Sequence, residues 1–113
     1  GKPVPAFKLP AERVSKGKSK VGTFRLDRLK GERNIIMFYT EGCEICKAEK
    51  AAIRQMASQD RNLYVLFVNV DEIMRDMPSV SESLFDSFDL SALPYILEAD
   101  RKGIVTRRYL SYR

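Results

Sequence analysis

Two nearly continuous apolar runs, Ile35 to Tyr39 and Leu63 to Val70, bracket a stretch of helical periodicity, and nothing else in the chain restricts its fold so tightly. Apolar runs of this length, rich in β-branched and aromatic residues, read as strands buried on both faces, as happens when helices cover a parallel sheet. Strand, helix and strand in that order imply a right-handed crossover. Between the first run and the helix lies a short polar turn, and Cys43-Glu44-Ile45-Cys46 opens the helical pattern. At a helix start the first sulfur of a C-x-x-C meets the positive, unpaired end of the helix, and the second lies one turn inside, within bonding reach. On that geometry Cys43 is the exposed nucleophile and Cys46 the resolving thiol. The apolar residues Ile45, Ala48, Ala52, Ile53, Met56 and Ala57 predict an inward helix face ending near Gln59, with Lys47, Glu49, Lys50 and Arg54 on the opposite face.

The flanks are shorter pieces. Gly1-Lys2-Pro3 has neither Met nor a charged-then-apolar leader and reads as a cut end, so a mature or excised domain is expected. Val4 to Pro10 reads as a short extended segment whose prolines place it at the margin of a sheet. Arg13 to Lys20 is expected to form a solvated hairpin tip. Its Gly17-Lys18-Ser19 is not a phosphate loop, because Glu12 stands where the first glycine belongs. Gly22 to Leu26 alternates as a strand, and Asp27 to Arg33 turns the chain. Beyond the second apolar run, Met77-Pro78 is a break, and Ser79 with Glu82 predicts a capping-box start for a helix carrying Val80, Leu84, Phe85 and Phe88. Leu93 to Ala99 reads as a strand with Pro94 at its entrance, Asp100 to Gly103 as a turn, and Ile104 to Leu110 as an antiparallel return. No repeat or linker divides the chain. A single domain over residues 1–113 is expected, with 4–33 as an amino-terminal extension hairpin and 34–113 as the core.

Composition excludes several chemistries. Histidine is absent from all 113 residues, which removes Cys-His and Ser-His hydrolases and histidine-ligated metal sites. Two cysteines alone make a poor zinc site, so neither a metal nor another cofactor is expected. The net charge of +5 divides unevenly. Residues 1–33 hold ten basic and three acidic side chains, 34–100 five and twelve, and 101–113 five and none, giving +7, −7 and +5. The segment with the cysteines is therefore acidic, and nucleic acid is not an expected partner. No apolar run approaches the roughly 20 residues of a membrane helix.

In order and spacing these features resemble the thioredoxin superfamily, and within it the extracytoplasmic bacterial thiol-disulfide oxidoreductases represented by TlpA, ResA and the cytochrome c maturation thioredoxins. Pro5-Ala6-Phe7-Lys8-Leu9 resembles that branch's amino-terminal P-x-F-x-L strand, and Thr23 to Gly31 its following strand and turn. Cys43-Glu44-Ile45-Cys46-Lys47-Ala48-Glu49 matches the redox motif with a glutamate three residues beyond the second cysteine. Leu93-Pro94 stands where the family has its cis-proline loop, and Asp100 to Val105 resembles the next hairpin. The departures are Gly42 where a tryptophan is usual and Ala51 where a proline is common.

The resemblance implies an α/β, thioredoxin-like fold: a central mixed sheet covered by helices, with the added amino-terminal strand or hairpin; the family's closing carboxy-terminal helix is expected to be missing, a further departure. It implies disulfide exchange through Cys43 and Cys46 with protein disulfide substrates and an upstream thiol reductant, Glu49 as a proton relay, and Leu93, Pro94 and Tyr95 as the substrate-binding edge. Tyr95 and Tyr39 are candidates to flank the sulfurs, with core packing favoured for Tyr39. The implied location is extracytoplasmic, in the periplasm or envelope of a bacterium. A sheet face left uncovered would allow an oligomer. Nearby Glu41, Glu44 and Glu49 oppose a thiolate at Cys43 while Lys47 and Lys50 offset them, so a Cys43 pKa near that of a reducing thioredoxin is expected. Two other readings stay open: a fixed disulfide stapling a binding or assembly module, and a peroxidatic cysteine suggested by Thr40-x-x-Cys43, against which Ile36 replaces the proline of that pattern.

Overall fold

The structure is a computed structural model and describes residues 1–109. Six strands form one mixed sheet: β1 (Lys8–Ser15), β2 (Lys18–Arg25), β3 (Arg33–Tyr39), β4 (Leu63–Asn69), β5 (Tyr95–Asp100) and β6 (Val105–Tyr109), in the spatial order β2-β1-β4-β3-β5-β6. Three helices cover it: α1 (Glu44–Gln59), α2 (Val70–Asp76) and α3 (Pro78–Ser87). The two apolar runs are the central strands β3 and β4, and they pair in parallel from Arg33 opposite Leu63 to Tyr39 opposite Asn69. Ile35, Ile36, Met37 and Phe38 are all fully buried, because helices lie on both sides of them. On one face α1 packs through Cys46, Ile53 and Ala57 onto Ile35, Met37, Val65, Phe67 and Ile96. On the other, α2 and α3 pack through Val70, Ile73, Leu84 and Phe88 onto Ile36, Phe38, Leu66, Val68 and Leu97.

The amino-terminal region departs from expectation. β1 is an interior strand, flanked along its whole length by β2 and from Glu12 to Ser15 by β4. Pro10 is tolerated there because it precedes the part that β4 flanks, where a missing N–H would break a second ladder. The margin is β2 instead, which begins at Lys18, four residues before the expected strand, and leaves Val21 exposed. Lys16 and Gly17, with φ of 52° and 73°, make the tight two-residue turn between them. Marginal placement does hold for the first residues: Pro3 bridges Ile104, and the Val4 N–H donates to the Gly103 carbonyl at 2.8 Å.

Two helix readings also change. α3 starts at Pro78 in its first turn, with Met77 as the capping residue and no side-chain cap, so Ser79 and Glu82 lie inside the helix. A proline needs no N–H partner at that position and its fixed φ suits the first turn, which makes the capping box unnecessary. In α1 the inward face is Cys46, Glu49, Ile53 and Ala57. Ile45, at 58% exposure, and Ala48 and Ala52 point to solvent. The reason is the neighbouring hairpin: Glu12 of β1 draws the heads of Lys50 and Arg54 inward, where they lie over the Phe67 ring at 5.3 and 5.1 Å. The carboxy-terminal return spans Val105–Tyr109, and Leu110 lies outside the described residues.

Candidate functional site

β3 ends at Tyr39, the turn Thr40-Glu41-Gly42 follows, and Cys43 caps α1 in an extended conformation. Its Sγ accepts the Cys46 N–H at 3.0 Å, one of the helix's unpaired first-turn donors. The two cysteines are joined in a disulfide, with their Cα atoms 5.1 Å apart. Cys43 is half-buried at the rim, whereas Cys46 is 1% exposed and faces the α1 side of the core. The pair is therefore asymmetric in exposure, with Cys43 at the rim and Cys46 buried.

The loop before β5 supplies the opposite wall. The Leu93–Pro94 peptide bond is cis, and the Leu93 carbonyl oxygen lies 3.9 Å from Cys43 Sγ. Leu93 is half-buried and packs against both apolar clusters, and Pro94 is buried. The aromatic expectation is reversed. Tyr95 does not flank the sulfurs: its ring is buried on the α2 and α3 face, edge-on to Phe38 at 6.0 Å and Phe88 at 5.8 Å, and its hydroxyl accepts from Arg108 at 3.0 Å. Residues alternate faces along a strand, so Tyr95 follows Phe38 inward while Ile96 turns to the α1 side. Tyr39 is the tyrosine on the cysteine side. It lines a cleft of 260 Å³ together with Thr40, Glu41, Cys46, Lys47 and Lys50.

The charges in this neighbourhood are mostly matched. Glu44 pairs with Lys47 at 3.3 Å on the exposed first turn, and Glu41 accepts from the Asn69 amide at 3.3 Å. Lys50 lies over the Tyr39 ring at 4.2 Å and within 3.1 Å of its hydroxyl. Behind it, Arg54 grips Glu12 in two hydrogen bonds of 2.7 and 2.9 Å. The Arg54 hydrogen bonds, helped by the Ser19 hydroxyl and by the charges of Arg54 and Lys50, hold the Glu12 carboxyl down at about 2. Glu49 is 2% exposed and lies on the inner face of α1, one turn beyond Cys46. The expected outward Glu49 is therefore corrected. The tie between Glu12 and α1 was not foreseen, and no local signal announces it, because 42 residues separate Glu12 from Arg54.

A disulfide at the amino terminus of a helix, with one accessible sulfur and a backbone carbonyl facing it, decides the comparison with known proteins. The AhpC/TSA family model matches residues 1–113. The chain belongs to the AhpC/TSA family. No curated protein matches it. Among solved structures, this AhpC/TSA chain is similar to a candidate thioredoxin from Neisseria meningitidis, at 21% identity over 100% of this chain and 83% of that one, with a TM-score of 0.63. It is similar to the thioredoxin domain of a thiol-disulfide oxidoreductase from Bacteroides vulgatus, at 17% identity over 98% and 88%, TM-score 0.63. A surface-exposed lipoprotein thioredoxin from Streptococcus pneumoniae matches at 18% identity over 96% and 91%, TM-score 0.50. The chain spans about two thirds of the thioredoxins from Halobacterium salinarum and yeast mitochondria, at 65% and 66% of their lengths. These likenesses establish the fold: a thioredoxin-like fold with a mixed six-stranded sheet.

Proposed function

We propose that this AhpC/TSA-family protein is a thiol-disulfide oxidoreductase of the TlpA and ResA type, acting on protein disulfides outside the bacterial cytoplasm. The observation that carries the reading is the asymmetry of the pair, with Cys43 at the rim and capped by the Cys46 N–H while Cys46 is buried behind it. In the reduced protein the Cys43 thiolate attacks one sulfur of a partner disulfide. A Cys43–partner bond forms, the partner's S–S bond breaks, and the departing partner thiolate takes up a proton. Cys46 then loses its proton and attacks Cys43 Sγ, which releases the second partner thiolate and restores the Cys43–Cys46 disulfide. Two electrons pass from this chain to the partner, and an upstream thiol reductant returns them.

The helix terminus stabilises the thiolate at Cys43, and the Glu44–Lys47 pairing softens the opposing charge beside it. Glu49, buried on the same face as Cys46, is assigned the proton transfer that activates Cys46. Leu93 presents its backbone to an extended substrate strand beside the sulfurs. Exposed Ile45, next to Cys43, adds apolar surface to that contact. The exposed lipoprotein thioredoxin among the structural neighbours supports the extracytoplasmic placement.

A second reading, peroxide reduction at Cys43, draws on the family match and on the Thr40-x-x-Cys43 spacing. The deciding experiment is a redox titration of the pair in glutathione and dithiothreitol buffers, combined with a Cys46→Ser trap. A reversible two-electron transition at or above roughly −300 mV, and mixed disulfides accumulating in the trap, are expected. A pair that stays oxidised far below that potential means a structural staple. Rapid consumption of hydrogen peroxide with no disulfide reduction means the second reading is right.

A further inference from the structure

At the end of the sheet opposite the cysteines, on the α2 and α3 face, lies a second pocket that the redox reading does not use. Its volume is 280 Å³, and Arg13, Phe24, Arg28, Leu29, Lys30 and Tyr64 line it. Tyr64 enters β4 five residues before Asn69, the strand's exit beside the motif, so the two sites lie ~17 Å apart along the strand.

The chemistry here is one-sided. The guanidinium of Arg13 lies between two rings, 5.4 Å from the centroid of Phe24 and 5.9 Å from that of Tyr64. Its Nε is buried and has no hydrogen-bond partner. Such a guanidinium has its stem fixed by packing and its orientation set by two aromatic faces, and it is already desolvated in part. Asp27 is taken by Arg25, which also lines the pocket, in two hydrogen bonds of 3.0 and 2.9 Å, and Arg28 adds its charge from farther off. Arg28 and Lys30 are exposed on the rim, and among the described residues neither they nor Arg13 form an ion pair. Three cations thus converge on one concavity, and Leu29 with the two rings gives it an apolar lining.

We propose that this pocket binds a small phosphate-bearing molecule, with Arg13 as the fixed fork on the phosphoryl oxygens and Arg28 and Lys30 closing over them. A dianion matches three cations that form no close ion pair better than a single carboxylate does, and a planar guanidinium is suited to paired phosphoryl oxygens. The volume admits a phosphoryl group and a small apolar substituent against Phe24 and Leu29, but not a polymer strand. The site stands whether or not the cysteines turn over.

The test is a nitrogen-15 amide NMR titration of the whole chain with inorganic phosphate at constant ionic strength, with sodium acetate as the control and phenyl phosphate as the ester probe. Saturating shifts at Arg13, Phe24, Leu29 and Tyr64 are expected with phosphate, and none with acetate, while phenyl phosphate should bind at least as tightly. The double variant Arg28→Ala, Lys30→Ala lies on the exposed rim, where folding is not at stake, and should weaken binding tenfold or more. Arg13→Lys keeps the charge and removes the fork, and should also weaken it. Shifts that rise linearly, that acetate reproduces, or that persist unchanged in the rim double variant overturn the proposal. Capture by phosphatidylglycerol vesicles without any response to soluble phosphate overturns the small-molecule assignment.

Discussion

Replacing Glu12 by Gln tests how the amino-terminal hairpin is fastened to the helix that carries the cysteines. Glu12 accepts two hydrogen bonds from Arg54, at 2.7 and 2.9 Å, and one from Ser19, and Lys50 lies 3.9 Å away. These partners lower its carboxyl from 4.5 to about 2. At about 1.4 kcal/mol per tenfold change in proton affinity, that displacement corresponds to at most ~3.5 kcal/mol. The Arg54 side chain is 42% exposed, so solvent screening brings the expected contribution down to about 1–2 kcal/mol. The sign follows from the depressed carboxyl. The unfolded chain holds the proton more tightly, so the stabilisation is complete above about pH 5 and is lost as the pH falls towards 2. Urea unfolding of the oxidised wild type and of Glu12→Gln should therefore differ by about 1–2 kcal/mol at pH 7 and by less than half of that at pH 3. An equal midpoint at pH 7, or a difference that stays constant from pH 7 to pH 3, would show that the ion pair does not fasten the hairpin.

Two further substitutions probe the frame of the site. Asn34 is buried where β3 begins, accepting the Gly31 N–H at 2.9 Å and donating to the Gly31 and Asp100 carbonyls at 3.0 and 3.1 Å. Asn34→Ala strands those groups and should cost about 2–3 kcal/mol in urea unfolding, and a loss below 0.5 kcal/mol would contradict the burial argument. Phe88 lies 5.0 Å from Phe38 and 5.8 Å from Tyr95, so Phe88→Ala should cost about 3–5 kcal/mol. Because Tyr95 directly follows the Leu93-Pro94 loop, the same variant should also slow reduction of a partner disulfide. Unchanged turnover would mean that the loop is held without the aromatic cluster.

The central βαβ unit and the motif at the helix start were legible in the chain, because each is written locally, whereas the loop at Leu93-Pro94 was expected from the family resemblance alone. A fully apolar run has no solvent face to offer and must be central, and the C-x-x-C spacing puts both sulfurs on one helical turn. Local pattern failed where a distant partner set the outcome. Glu49, Lys50 and Arg54 look like a solvated face by composition, yet Glu12 and the rings of Tyr39 and Phe67 draw the two cations inward, and Glu49 lies buried beside them. Tyr95 looks like part of the contact edge because it follows Pro94, but the strand's alternation turns its ring into the core.

The sequence by itself determined the central strand, helix and strand unit, the absence of histidine chemistry and the place of the two cysteines, since periodicity and spacing act over a few residues. Only the tertiary structure decided that β1 is an interior strand, that Glu49 turns into the core, and that Arg13 lies between two rings at the far end of the sheet. Those outcomes depend on pairing between segments tens of residues apart, where burial and charge compensation are settled by what the other segment supplies.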